Sequence, residues 1–321
     1  MRRRDFIAAI GSAVAWPRAA QAQRRPLPVV GVLSHETYLL DLLRQGLGEQ
    51  GYVEGRNVEI LIRDADQYDQ LPKLAADLVD RRVAVLAAAS TVAAVAAKSS
   101  TATIPIVFVA ATDPVLLGLV SSLNRPGGNI TGVYLLIQEL TAKRLELLRE
   151  IAPAAAAIGF LINPADPVTE AERRQAETAA QLLGVRLVIA SASTPSEIDA
   201  SFASLVDQGI AALLVGGNVL FFARRHQLVA LASRYGTPTI YPYREAVDTG
   251  GLMSYGANLA DANRLAGTYV GRILKGEKPA DLPVQQTNTR IEMVLNLKTA
   301  KALGIDPVPT ATLLRATEVI E

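Results

Sequence analysis

The chain has 321 residues, half of them hydrophobic, with 32 basic and 31 acidic side chains and a formal charge of +1. It holds no cysteine, and its two histidines, His35 and His226, lie far apart without ligand spacing. Disulfides, thiol catalysis and thiolate metal sites are therefore excluded, no metal or cofactor is expected, and no clustered basic face calls for nucleic acid. The first predicted element is an export signal. Arg3-Arg4-Asp5-Phe6-Ile7, a mild apolar stretch from Ile7 to Trp16 and the small-x-small site Ala20-Gln21-Ala22 follow in the order of a twin-arginine leader. The apolar stretch falls short of the roughly 20 residues that span a bilayer. No cysteine follows the cleavage site to carry a lipid. The expectation is a soluble, periplasmic mature chain starting near Gln23. Residues 1–22 hold four Arg and one Asp, so their removal leaves a formal charge of −2.

The roughly 300 residues that remain exceed one ordinary core, so two lobes are expected. Val29 to Leu33 reads as a strand, followed by a helical pattern at Leu39, Leu42, Leu43 and Leu47. Asn57 to Ile62 is the second strand, with a helix from about Tyr68 to Arg81. Val83 to Ala88 and Ile104 to Val109 follow, with an Ala-rich helix between them. Continuous apolar strands alternating with helices indicate a parallel sheet covered on both faces. The turn signal at residues 124–129 then leads into Ile130 to Leu136, read as a crossing. A second series begins with a helix at Leu140, Leu147, Leu148 and Ile151. Strands at Ala157 to Ile162, Val185 to Ala190, Ala211 to Val215 and Pro238 to Tyr241 continue it. Gly251 to Tyr255 reads as the return crossing, Arg264 to Leu274 as a helix and Arg290 to Leu295 as a final strand. The expected fold class is α/β, two doubly wound parallel-sheet lobes. The first lobe covers 27–133 plus 256–284, the second 134–255 plus 285–321.

Ligands of open parallel sheets bind at the carboxyl ends of the strands. Those loops carry Ser34 and His35, Ser90 and Thr91, Thr112 and Asp113, Asn163, Asn218, Tyr241 and Tyr255. Ser90 and Thr91 sit where a helix begins, and helix N-termini attract anions through free backbone N–H groups. Asp113 ends an apolar strand and is placed to meet an ammonium, though an Asp-Pro pair also starts helices. Tyr241 and Tyr255 end strands and are placed to cover an apolar ligand part. Enzyme signatures are missing: no glycine-rich dinucleotide or phosphate loop and no nucleophile elbow occur.

Several motifs together resemble a known family. They include residues 3–7, residues 50–58 (Gln50-Gly51-Tyr52-Val53-Glu54-Gly55-Arg56-Asn57-Val58), residues 104–109 and Asp113-Pro114-Val115. Residues 122–133, 143–148, 250–256 and 271–285 continue the likeness. The chain resembles bacterial ABC-transporter substrate-binding proteins of the tryptophan/tyrosine type. The resemblance implies the type I periplasmic-binding-protein fold, with three hinge crossings and ligand trapped between the lobes. The first ligand loop is shorter than usual, and Gly216-Gly217-Asn218-Val219 replaces a more typical Gly-Ala-Asp-Pro-like segment.

The expected function is capture of a small amino-acid-like or aromatic carboxylate by a monomeric, non-enzymatic binding protein. It would deliver the ligand to an ABC permease in the inner membrane. Ser90, Thr91 and Thr112 would hold the carboxylate, Asp113 the ammonium, and Tyr241 and Tyr255 the apolar part. The alternatives are a ligand-sensing module for a separate receptor and a hydrolase using Ser34, His35 and an acid.

Overall fold

The computed structural model describes residues 26–34, 40–65, 67–166, 169–287 and 291–321. The expected export signal lies outside them, as does His35. The first half builds β1 (Val29–Ser34), α1 (Leu40–Glu49), β2 (Glu59–Asp64), α2 (Leu71–Asp80), β3 (Val85–Ala88), α3 (Thr91–Ser100), β4 (Ile106–Ala110) and β5 (Ile130–Tyr134). β3, β4 and β5 are buried at every position, as strands covered on both faces must be.

The second series is α4 (Thr141–Ile151), β6 (Ala157–Ile162), α5 (Thr169–Leu183), β7 (Arg186–Ser191), α6 (Pro195–Asp207) and β8 (Ala212–Val215). It continues with α7 (Val219–Ala223), α8 (Arg225–Tyr235), β9 (Thr239–Tyr241), α9 (Arg244–Asp248) and β10 (Met253–Ala257). α10 (Leu259–Leu274), β11 (Gln285–Gln286), β12 (Ile291–Asn296), α11 (Leu297–Ala302), α12 (Thr310–Arg315) and β13 (Glu318–Ile320) complete the chain.

Two sheets result, in the orders β11-β5-β4-β3-β1-β2 and β13-β12-β10-β9-β8-β6-β7. The first is parallel throughout, whereas β12 runs antiparallel to β10 in the second. Each sheet has a core on both faces. α1 and α10 cover one face of the first sheet, and α2 and α3 the other. α4 and α5 cover one face of the second, and α6, α7 and α8 the other. Helix α10 is the tie between halves, since it follows β10 of the second sheet yet packs on the first. It lies against α1 so closely that a Cβ at Gly46 would stand 1.8 Å from the Arg264 carbonyl oxygen. Only glycine permits that approach.

The structure moves two predicted boundaries. Gln285 and Gln286, assigned from sequence to the second lobe, pair with β5 in the first sheet. β10 extends to Ala257 in the second sheet, two residues beyond the expected return crossing. In both cases backbone pairing continues past the residues whose side chains set the sequence pattern.

Candidate functional site

Both sheets turn their topological switch points toward one cleft. In the first sheet β1 is flanked by β2 and β3, in the second β6 by β7 and β8, and chains leaving such strands diverge to open a crevice. The cleft encloses about 650 Å³ of non-protein space, its opening included. From the first lobe it receives Ser34 after β1, residues 89–92 after β3, Val109 and Ala111 around the end of β4, and Leu135 after β5. The second lobe contributes Asp166 after β6, Gly217 and Val219 after β8, Phe222 from α7 and Tyr243 after β9, and Leu259 of α10 completes the wall. Most of this lining is apolar. Phe222 and Tyr243 meet edge to face, with centroids 5.5 Å apart and planes at 87°.

The polar groups are few and placed at the ends. Ser90 caps α3, its Oγ accepting from Ala93 N–H at 3.2 Å. Thr91 Oγ1 accepts from Ala111 N–H at 3.0 Å, which fixes the helix start against the end of β4. The first turn of any helix leaves N–H groups without intrahelical partners, so this end of the cleft favours an anion. Opposite it stands Asp166, buried, its Oδ2 accepting from Asn218 Nδ2 at 2.6 Å.

Asn218 is the hub of a network joining the two lobes. It caps α7 by accepting from Leu220 N–H at 2.8 Å, and it accepts from Asn163 Nδ2 at 3.1 Å. Its Nδ2 also donates to the hydroxyl of Tyr68, a first-lobe residue, at 3.2 Å. Burial, with the nearby Asp166 charge second, pushes the Tyr68 phenol up to about 12. Tyr243 is also raised, chiefly by burial, with the Arg144 charge opposing.

The structure brings Ser34, Ser90 and Thr91 to the cleft wall. Asn163 lines a wider cavity of mixed polarity, together with Tyr68 and Ser193. Asn218 lies between two lining residues, but its own side chain is engaged in the network. Four expected residues sit elsewhere. Asp113 is a turn cap, accepting from Val115 N–H at 2.7 Å and Leu116 N–H at 3.3 Å, because the Asp-Pro step begins a turn there. Thr112 is buried beside it, outside the cleft lining. Tyr241 ends β9 still within the pleat, so its ring enters the core beneath α8 and α9. Tyr255 lies mid-strand and packs on the second core. The aromatic rings that line the cleft are Tyr243, two residues beyond the strand end, and Phe222.

Sequence reasoning missed Asp166 and Tyr68. Both follow strand ends, β6 and β2, and a reading of those loops three or four residues deeper would have reached them. Of the two histidines, His226 does not line the cleft.

The geometry agrees with what the chain is similar to. The model of the ABC transporter substrate binding protein family matches residues 27–320. A tyrosine-binding protein of Clostridioides difficile (strain R20291) is 31% identical over 273 residues, 83% of this chain and 77% of that one. The structure of an ABC domain in complex with L-Trp from Streptococcus pneumonia superposes with a TM-score of 0.80 at 25% identity, over 92% of this chain and 100% of that one. The ligand-free, open structure of a Clostridium difficile substrate-binding protein with adhesive properties gives 0.63 at 26% identity, over 92% and 99%. Solute-binding proteins of 14–15% identity share the type I periplasmic-binding fold alone. The chain belongs to the ABC transporter substrate-binding protein family.

Proposed function

We propose that this chain is the periplasmic receptor of an ABC importer and closes its two lobes over an amino acid with an apolar or aromatic side chain. One observation carries the reading: an anion-favouring helix start, a buried carboxylate and an aromatic pair converge on one mostly apolar cleft. The α3 N-terminus at Ser90 and Thr91 takes the ligand carboxylate. Asp166 takes the ammonium, the role that sequence reasoning gave to Asp113. Phe222, Tyr243 and Leu135 cover the apolar part. The printed ligands of two relatives, tyrosine and L-Trp, support an amino acid.

The arrangement corresponds to the closed form. Similarity to the L-Trp complex exceeds that to the open, ligand-free relative at nearly the same identity, and rigid lobes rotated about a hinge lower the score in this way. Among the described residues, the hinge is formed by the segments from β5 to α4 and from β10 to α10. The twin-arginine leader delivers the folded chain to the periplasm, the cleft performs no catalysis, and the closed monomer docks on an inner-membrane permease. Thermal denaturation of residues 23–321 with each free L-amino acid tests the reading. A ligand at a hundred times its Kd adds about 2.7 kcal/mol of stability. Apolar and aromatic amino acids are expected to raise the melting temperature, and no response to any amino acid would remove the ligand class.

A further inference from the structure

Behind the second-lobe wall lies a charged pair that the ligand contacts do not use. Arg144, in the first turn of α4 just past the first crossing, is 0% exposed, and Glu172 of α5 is 3% exposed. Arg144 Nη2 donates to Glu172 Oε1 at 2.9 Å and to Thr141 Oγ1 at 2.8 Å. Thr141 Oγ1 in turn donates to Glu172 at 3.1 Å. The same carboxylate accepts from the backbone N–H of Gly217 at 3.1 and 3.2 Å. Burial pushes Glu172 up and Arg144 down from their ordinary values, each partly offset by the other's charge.

Stability does not account for this pair. Well-packed apolar residues of similar volume commonly match or exceed a buried ion pair, because both charges lose their hydration. The Arg144 Nε and Nη1 atoms, buried and without a hydrogen-bond partner among the described residues, add to that loss. What the pair does have is position. Gly217 lines the cleft and is wedged on its other side by Ile137 of the first crossing, whose Cγ2 would stand 2.2 Å from a Cβ at residue 217. The next residue, Asn218, carries the contacts to Asp166 and Tyr68.

We propose that Arg144 and Glu172 are positioning residues for the ligand wall. The Glu172 carboxylate anchors Gly217 N–H, the guanidinium and Thr141 hold the carboxylate, and the hinge crossing is thereby tied to the loop that presents Asp166 and meets Tyr68. The link to affinity rests on the proposed function, whereas the anchoring of the loop does not.

Two double variants separate this role from simple packing. Arg144→Met/Glu172→Leu replaces the pair by apolar side chains and is expected to melt close to the native chain. It leaves Gly217 N–H without an acceptor, so amide exchange over residues 217–222 in the ligand-free protein should quicken, and L-tyrosine binding should weaken about tenfold. Arg144→Met/Glu172→Gln keeps a carbonyl oxygen for Gly217 and should restore both exchange and affinity. Native exchange and affinity in the Met/Leu variant would overturn the proposal, as would equally fast exchange in both variants. If L-tyrosine fails to bind the native chain, the ligand reading falls, while the exchange comparison still decides the positioning role.

Discussion

Tyr68 and Asn218, 150 positions apart and in opposite lobes, meet hydroxyl to amide across the mouth of the cleft. In the closed form proposed above, this contact spans the two lobes. The same Asn218 amide donates to Asp166 of the cleft lining, so the contact couples the lobes to the ligand wall. Tyr68→Phe removes the hydroxyl and keeps the ring. Loss of one such bond, worth about 1 kcal/mol, should weaken ligand binding several-fold with little change in the melting temperature of the ligand-free chain. The same contact makes closure sensitive to alkali. Burial, and then the Asp166 charge, push the phenol up to about 12 from an ordinary 10.0, so the contact's contribution is full below 10 and is lost as pH rises toward 12. From pH 8 to 11.5 affinity should fall in both chains as the ligand ammonium deprotonates, and further in the native chain than in the Phe variant. The Phe variant should lack that further fall. A fall of equal size in both would assign it to other groups.

Asp166 lines the cleft, whereas Asp113 caps a turn. Asp166→Ala should cost an amino acid about 2–5 kcal/mol of binding, because its ammonium stays buried without a partner, and should spare the des-amino analogue. Asp113→Ala should leave both affinities unchanged and cost about 1 kcal/mol of stability through loss of the turn cap. Isothermal titration of L-phenylalanine and 3-phenylpropionate against both variants checks the pair of statements. Discrimination appearing in the Asp113 variant would reverse them.

Gly217 leaves no room for a side chain. Gly217→Ala drives a methyl into Ile137 and should cost about 1–3 kcal/mol. Adding Ile137→Ala removes the colliding methyl, so the double variant should be less destabilised than the sum of the two single changes. Urea unfolding of the four proteins measures the coupling. Strict additivity would mean that the loop moves aside instead.

Glu245, in the first turn of α9, is buried with its Oε2 lacking a partner among the described residues. Burial raises its pKa, and the Asp248 and Glu292 charges add to the rise. The folded state holds this proton more tightly than the unfolded one. Its stability is therefore greatest below the ordinary carboxylate value and declines as pH rises through the raised one. Glu245→Gln should gain in melting temperature over the native chain as pH increases from 4 to 7.5. A gain independent of pH would contradict this.

The architecture was legible from sequence because fully buried strands such as β3, β4 and β6 are written as continuous apolar runs. Element ends were less so. β11 is two residues long and belongs to the first sheet through backbone pairing that no side-chain pattern records. The cap of α3 at Ser90 was visible, since capping residues follow an apolar strand there. Ser34 was named as well, but Asp166 and Tyr243 of the cleft lining were not. Whether an aromatic faces the core or the cleft depends on one or two residues beyond a strand end, as Tyr241 and Tyr243 show. The Arg144–Glu172 contact joins two helices and carries no local signal at all.

The central claim is that the two lobes close over a single amino acid. Calorimetric titration of residues 23–321 with L-tyrosine, L-tryptophan and L-phenylalanine tests it most directly. The expected result is one site per chain, a Kd on the order of 1 μM (about −8 kcal/mol) for at least one of them, and a negative heat-capacity change from apolar burial. Absence of heat with all three at millimolar concentration would contradict it.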